Sequence, residues 1–189
     1  MSADEPDYIV VGDRVALGPL RRDLVATYAR WRNQLPIRRG LDFSGIATPE
    51  SMEKWVEESA ATGAQREPKG VEFTIYDRSD GAPVGTAGLF EIAHTHGRGS
   101  FGIEVGERRG QGLGTEATRL VLDFAFHVLH LRNVALDVLE WNAAGQAAYE
   151  RAGFRRVGVR RGAALSRGRR TNVVIMDAVP EDFGRSVLP

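Results

Sequence analysis

Cysteine is absent from the 189-residue chain, which excludes a disulfide framework, a Cys-based zinc site and a thiol nucleophile. Long hydrophobic runs are missing as well. No stretch approaches the ~18 apolar residues of a membrane-spanning helix, so no membrane partner is expected. There is also no excess of either charge. Lys and Arg number 25 against 25 Asp and Glu, for a net charge of +0, which leaves no global field to gather nucleic acid or an anionic membrane. The opening residues, Met1 to Asp7, are acidic and lack the basic-then-apolar order of an export signal. The expected location is the cytoplasm. Neither an internal repeat nor a long low-complexity tract interrupts the chain.

What is present is ordinary globular material, 42% hydrophobic and 26% charged, in a length that suits one domain with a real core. A single domain over residues 1–189 is expected, with 1–11 and 180–189 as loose termini. Arg14 to Leu20 reads as a strand. Arg21 to Leu35 reads as an amphipathic helix, with Leu24, Tyr28, Trp31 and Leu35 near helical spacing. After a link punctuated by Pro36 and Gly40, Thr48 can cap a second helix with Pro49 in its first turn, and Met52, Trp55, Val56 and Ser59 share one side of it. Val71, Phe73 and Ile75 alternate with polar neighbours, Ser79-Asp80-Gly81 supplies a turn, and Val84 to Ile92 returns as a strand, which together predict a hairpin. A turn over His94 to Gly99 then precedes a strand over Phe101 to Val105.

From Gly114 the period becomes helical. Leu120, Val121, Phe124, Ala125 and Val128 form the apolar face, and Arg119, Asp123 and His127 a polar stripe. Val134 to Val138 alternates as a strand, Asn142 can cap a short helix that Gly153 ends, and Phe154 to Val159 and Val173 to Asp177 are the last strands. The order predicts a mixed α/β sheet with helices on both faces.

Arg109-Gly110-Gln111-Gly112-Leu113-Gly114 falls between a strand and a helix. Three glycines let the backbone approach a ligand and turn its N–H groups inward, and a helix N-terminus favours a phosphate. A glycine-rich turn without a ligand is equally open on the glycines alone. The nucleotide P-loop does not fit, because no Lys-Ser/Thr follows the last glycine, and Thr115 stands where a dinucleotide fingerprint needs glycine.

The run Arg109 to Gly114 matches the Q/R-x-x-G-x-G/A signature of the GNAT superfamily of N-acetyltransferases. Gly112 to Ala117, Asp123 to Phe126, and Asn142 with Tyr149, Gly153 and Phe154 resemble, in order and spacing, the branch named for ribosomal-protein alanine acetyltransferases (Rim-type). Gly12 to Leu20 and Trp31-Arg32-Asn33 resemble its opening strand and first helix. This resemblance implies the GNAT fold, an α/β architecture with a central mixed, mostly antiparallel, splayed sheet flanked by helices on both faces. It implies acetyl-CoA as cosubstrate and no metal. The pantetheine arm would pair with backbone groups of Ile103 and Val105. The loop, Arg109, Gly110, Gln111, Gly112, Leu113, Gly114 and Thr115, would hold the pyrophosphate, and Asn142 would approach the arm.

Without cysteine, direct attack by an amine in a ternary complex is the economical route. Tyr149, seven residues after Asn142, resembles the tyrosine that many relatives place near the thioester sulfur, where a phenol can protonate the leaving thiolate. Where relatives often carry a Glu as base, this chain has Ser100. Glu104 is the nearby choice, with Glu91, His94 and His96 as rivals. His94-x-His96 and His127-x-x-His130 lack the spacing and company of a zinc site. Arg155, Arg156, Arg160, Arg161, Arg167, Arg169 and Arg170 form a basic stretch without an acidic residue. It reads as a solvated sheet edge, or as a contact for cofactor phosphate, nucleic acid or an acidic acceptor.

The expected function is transfer of an acetyl group to an amine of a small molecule or a protein N-terminus. A coenzyme A-binding module of the same fold without turnover is the alternative. A nucleic-acid partner gains nothing from the net charge, and a homodimer is compatible with the composition. The resemblance places acceptor specificity in the first two helices and their link, Trp31 to Trp55.

Overall fold

The computed structural model describes residues 7–40, 45–184, 186 and 188. Its centre is an eight-stranded sheet in the order β1-β2-β3-β4-β5-β6-β8-β7. The strands are β1 (Val10–Val11), β2 (Val15–Pro19), β3 (Val71–Asp77), β4 (Ala82–Ala93), β5 (Arg98–Val105), β6 (Asn133–Leu139), β7 (Arg155–Ser166) and β8 (Arg169–Ala178). Every neighbouring pair is antiparallel except β5 and β6. Helices α1 (Val25–Arg32), α2 (Leu35–Gly40) and α3 (Pro49–Gly63) precede β3. Helix α4 (Leu113–His127) joins β5 to β6, α5 (Ala143–Ala152) joins β6 to β7, and α6 (Pro180–Phe183) ends the described elements.

Alternation along the strands divides the side chains between two cores. Phe73, Ile75, Ala87, Leu89 and Phe101 meet Leu113, Ala117, Leu120 and Val121 of α4 in the larger core. The opposite face is covered by α1, α2 and α3 through Tyr28, Trp31, Ile37, Met52 and Val56. The polar residues that alternate with Phe73 and Ile75 are therefore covered, Thr74 fully and Glu72 in part. The buried Tyr28 hydroxyl lies 2.6 Å from Thr74 Oγ1, and Trp55 Nε1 donates to both Glu72 oxygens at 3.1 Å.

Several expected boundaries shift for identifiable reasons. The helix expected over Arg21 to Leu35 is a 3₁₀ turn at Arg22–Leu24 followed by α1 and then α2. The break falls at Asn33, whose side chain donates to Ala47 O at 2.7 Å and accepts from Ala47 N at 3.0 Å, a tertiary clamp with no periodic signature. Thr48 caps α3 as expected, exchanging hydrogen bonds with Ser51. Strand β5 starts at Arg98 rather than Phe101, because Gly97, in the left-handed region at φ 58°, turns its carbonyl to accept from Asn133 N at 3.1 Å. The last two strands run far beyond Val159 and start before Val173. They form a long ribbon closed by Arg167-Gly168, with φ of 52° and 73°, the double positive φ of a tight hairpin turn.

In α4 one of the three polar-stripe residues and one apolar-face residue are misplaced. Asp123 is buried, its Oδ1 2.6 Å from His127 Nδ1 one turn on, whereas Val128, assigned to the apolar face, is exposed. Within the segments expected to be loose, some of the described residues are tied to the fold. Ile9 N donates to Leu17 O at 2.7 Å beside the β1–β2 pairing, and Phe183 is buried against Phe126 with ring centroids 5.4 Å apart. Residues 1–6 of the expected loose start lie outside the described residues.

Candidate functional site

Strands β5 and β6 pair only at Arg98↔Asn133, Gly99↔Val134 and Ser100↔Ala135. Beyond that point β5 stays paired to β4 as far as Val105↔Gly85, and β6 stays paired to β8 as far as Leu139↔Val173. The sheet therefore opens into a wedge with its apex at Ser100 and Ala135. The wedge edge of β5 presents backbone polar groups of Phe101 to Val105 that no neighbouring strand satisfies. Ile103 and Val105, half-buried, lie on that edge.

At the wide end of the wedge the chain leaves β5 through Gly106, whose N–H donates to Val84 O at 2.8 Å. A Cβ on Gly106 would fall 2.3 Å from the Trp31 ring, so only glycine fits. Glu107 and Arg108 then anchor the loop from outside. Glu107 Oε1 accepts from Trp31 Nε1 at 2.9 Å, and Arg108 pairs with Asp77 and Asp80. Arg109 does not reach outward into the loop. Its Nε donates to Val105 O and its Nη2 to Gln34 Oε1, each at 2.6 Å. Arg14 Nη1 donates to Gln111 O at 2.9 Å.

Gly110 and Gly112 have φ of 79° and 86°, which glycine alone adopts without cost. Gly112 is the N-cap of α4 and contributes no side-chain cap. The N–H groups of Leu113, Gly114 and Thr115 therefore have no acceptor within the helix. Gly114 carries a hydrogen where a Cβ would stand 3.0 Å from Val105 Cγ2, which seats the start of α4 directly on β5. Glu116 ties the helix to β2 by accepting from Arg14 N at 2.8 Å and Val15 N at 3.2 Å.

The open amides, the helix dipole and the adjoining unpaired strand edge suit a long ligand with an anionic end and an amide-bearing arm. Asn142 Oδ1 is used locally, accepting from Gly145 N at 3.0 Å to cap α5. Its Nδ2 is the atom left to meet a ligand.

Tyr149 lies near the apex, not at the loop. Its ring stands edge-on to Phe101, the residue after Ser100, with centroids 6.2 Å apart, and to Phe154 at 6.1 Å. Burial pushes its phenol above the usual tyrosine range, so it stays protonated. Glu104 is near the other end of β5, on the α1–α3 side. It is buried with its Oε2 3.3 Å from Arg32 Nε. Burial raises its carboxyl above the usual range, and Arg32 and Arg109 oppose the rise. The Arg32 guanidinium in turn lies 4.6 Å from the Trp55 ring centroid. Glu91 arrives beside Ser100 from the neighbouring strand. It sits in a bulge of β4 with φ 50°, and its Oε2 accepts from Ser100 Oγ at 3.1 Å. His94 Nε2 is 2.9 Å from Pro68 O, a structural contact, and among the described residues no group of three His, Asp or Glu could hold a metal ion.

Sequence reasoning missed Glu72. Burial raises its carboxyl, opposed by hydrogen bonds from Ser59 and Trp55 and by the Arg32 charge. Its row in the sheet runs Glu72, Gly88, Gly102, and the next runs Thr74, Thr86, Glu104, so the two acidic residues share the face under α1 and α3. The alternation around Phe73 was the signal, but it does not distinguish water from a covering helix.

With this geometry in place, residues 14–155 match the acetyltransferase (GNAT) domain family model, and the chain belongs to that family. Two relatives with shorter matches are the probable N-acetyltransferase YjcK of Bacillus subtilis, 36% identical over 91 residues (47% of this chain and 50% of that one), and the spermidine N(1)-acetyltransferase of Escherichia coli K12, 38% identical over 76 residues (40% and 41%). The matched segment spans about half the length of these curated relatives, or less.

Among solved structures, Mycobacterium smegmatis RimJ in complex with CoA-disulfide superposes with a TM-score of 0.81 at 22% identity, covering 91% of this chain and 85% of that one. The Vibrio cholerae spermidine N-acetyltransferase in complex with CoA and spermine gives 0.81 at 20% identity, covering 91% and 99%. These likenesses establish the fold, and the mixed, mostly antiparallel splayed sheet expected from sequence is the one observed. No helix among the described residues is long and apolar enough to cross a membrane.

Proposed function

We propose that the chain transfers an acetyl group from acetyl-CoA to an amine, in the cytoplasm and without a covalent enzyme intermediate. The observation that carries the reading is the wedge between β5 and β6, open beyond Ser100 and ending at the uncapped amides of Leu113 to Thr115. Among the similar solved structures, CoA-disulfide is bound in RimJ and CoA in the spermidine enzyme, which supports the same use here. Gly110 to Thr115 hold the pyrophosphate, the edge at Ile103 and Val105 pairs with the arm, and Asn142 Nδ2 approaches it. Arg109 braces the loop through Val105 O and Gln34. Acetyl-CoA supplies the activated acyl group, and an amine on the α1–α3 side attacks it.

Position along β5 supports a division of the proton transfers. A strand rises roughly 3.3 Å per residue, so Ser100 lies about 17 Å from Val105, and a long arm anchored at the loop carries its reactive end toward the apex. Tyr149, beside Phe101, holds its proton there and gives it to the departing thiolate. Of the base candidates Glu104 and Glu91, the geometry favours Glu91. Glu104 is one residue from the end of β5 and is engaged by Arg32, whereas Glu91 is held at the apex by Ser100. Glu91 takes the proton that the amine loses, and solvent resets both groups.

The test is thiol release from acetyl-CoA with a panel of amines, for the parent, Glu91→Gln and Glu104→Gln. A general base is worth typically ~10² to 10⁴-fold. Glu91→Gln should fall by at least about tenfold in kcat with the high-pH rate partly restored, and Glu104→Gln by much less. Acetyl-CoA binding without thiol release for any amine would leave a coenzyme A-binding module as the function instead.

A further inference from the structure

The ribbon of β7 and β8 does not lie as a plain sheet edge. Between Arg160 and Ala164 its register slips, so that Arg160 pairs with Val173 and Ala164 with Thr171. Gly162, at φ 60°, donates its N–H to Asn172 Oδ1 at 2.8 Å, and Asn172 Nδ2 donates to Glu140 Oε2 at 3.0 Å. The bulge, pinned in this way to the end of β6, curls the tip of the ribbon toward α2. Two adjoining clefts result. One of about 740 Å³ is lined by Arg39, Trp141, Arg167, Arg169 and Arg170. The other, of about 530 Å³, runs from Arg38 and Arg39 past Arg160 to Asp137, Val138 and Leu139, the free end of β6 on the wedge.

The charge in these clefts is one-sided. Asp137 is the sole carboxylate among the described lining residues, and it is already paired with Arg160. Arg39, Arg167, Arg169 and Arg170 form no ion pair among the described residues. Holding four guanidinium groups around one cavity costs mutual repulsion that an anionic occupant would remove. Cofactor phosphate is not the natural occupant. The amides that suit a pyrophosphate begin α4, which packs on one face of the sheet, whereas Ile37 buries α2 in the core on the other face. Trp141, exposed in the same cleft, adds a flat apolar surface.

Building on the acyl-transfer reading, we propose that the acceptor is an amine carrying carboxylate or phosphate groups, seated by Arg39, Arg167, Arg169 and Arg170, and not a polycation. The second cleft begins at Asp137, two residues beyond the last paired residue of β6. At roughly 3.3 Å per residue, the anionic groups lie about 7 to 13 Å from the reacting nitrogen. That reach suits acidic side chains at the second to fourth positions of a peptide N-terminus, or the phosphate of a small amine.

The experiment compares thiol release with four acceptors, Ala-Asp-Glu-Glu, its uncharged counterpart Ala-Asn-Gln-Gln, glucosamine 6-phosphate and spermidine, for the parent and for Arg39→Glu/Arg169→Glu. The expected result is a kcat/KM at least about tenfold higher for the acidic peptide or the phosphorylated amine than for Ala-Asn-Gln-Gln. That preference should shrink with added salt and reverse toward spermidine in the charge-reversal variant. Which of the two anionic acceptors leads distinguishes a peptide from a metabolite.

Quenching of Trp141 fluorescence by the acidic peptide, absent in Trp141→Phe, reads binding without turnover. A transferase that prefers spermidine, or a charge reversal that raises the KM for acetyl-CoA and leaves the acceptor ranking unchanged, would overturn this inference while leaving acyl transfer standing. Thiol release with no amine, despite acetyl-CoA binding and no peptide quenching, would remove both.

Discussion

On the α4 side of β5 the polar groups are backbone amides fixed by glycine, whereas on the α1–α3 side they are charged side chains drawn from several separate elements. The first arrangement has no titrating atom. Its attraction for phosphate comes from oriented dipoles at Leu113 to Thr115, and its shape comes from Gly110 and Gly112 with positive φ. The second arrangement includes Glu72, Glu104 and Arg32 beneath the helices and the arginines of α2 and the ribbon. It depends on pH, salt and side-chain identity. A fold built this way keeps one ligand constant and lets the other vary by surface substitution. The sharpest ways to break that division are single changes confined to one side, taken here from the largest expected effect.

Tyr149→Phe removes a hydroxyl and keeps the ring that stands against Phe101 and Phe154. Turnover should fall by about 10² to 10⁴-fold, the usual worth of a general acid, with acetyl-CoA affinity and melting temperature unchanged. Steady-state kinetics with calorimetry checks it. A loss of less than about threefold with chemistry rate-limiting makes the tyrosine a packing residue.

Gly112→Asp should act on the cofactor alone. The new carboxylate at the N-cap can accept from the first amides of α4 and so occupies the phosphate position from within, at a cost of roughly 1 to 2 kcal/mol for a left-handed residue. Acetyl-CoA affinity should weaken by about 100-fold, or ~2.7 kcal/mol, while the helix persists. Unchanged affinity in a titration would remove the loop from the site.

The proposed cofactor loop and the proposed Asn142 and Tyr149 roles could be read from sequence because each segment is local. Gly110, Gly112 and Gly114 lie within five residues, and Asn142 caps the short helix that carries Tyr149. The α1–α3 side was legible only in part: Glu104, Glu91 and the arginines could be named, but not how they are arranged. Glu72 alternates with Phe73 as a solvent-facing residue would, and only the tertiary placement of α3 covers it. Glu91 reaches Ser100 through a bulge in β4, and the arginines from Arg160 to Arg170 face Arg39 only because of a second bulge, at Gly162. Asp123 was misplaced for a related reason: helical period assigns a face by polarity, and a carboxylate paired to His127 one turn away breaks that rule.

Gly106→Ala tests the hinge between the two sides, since its Cβ would fall 2.3 Å from the buried Trp31 ring. Trp31 is held by Glu107 and cannot rotate away cheaply. Overpacking of this kind costs about 1 to 3 kcal/mol, or roughly 2 to 12 °C in melting temperature for a chain of this size. Both acetyl-CoA and acceptor constants should worsen together. A variant that melts like the parent, with kinetics unchanged, would show that the loop and α1 move independently.

The smallest effect is expected from Glu72→Gln, and it separates charge from shape on the acceptor side. Glutamine keeps an oxygen to accept from Trp55 Nε1 and fills the same volume, so packing against α3 is retained. What changes is the buried charge. Burial raises the Glu72 carboxyl above its unfolded value, against the opposing effects of Ser59, Trp55 and Arg32. In the pH range between the unfolded and folded pKa values the native state therefore binds more protons than the unfolded chain, and stability falls as pH rises through that window. Above it, the parent carries an ionised buried carboxylate that the variant lacks. Glu72→Gln should thus melt a few degrees higher than the parent near pH 7.5, and the difference should vanish below pH 4, where the parent carboxyl is protonated in both states. Thermal melts of the two proteins across that range measure it. A parent that is the more stable protein at neutral pH would mean that attraction to Arg32 outweighs the cost of burial, and Glu72 would then be an anchor for Arg32 beneath α1.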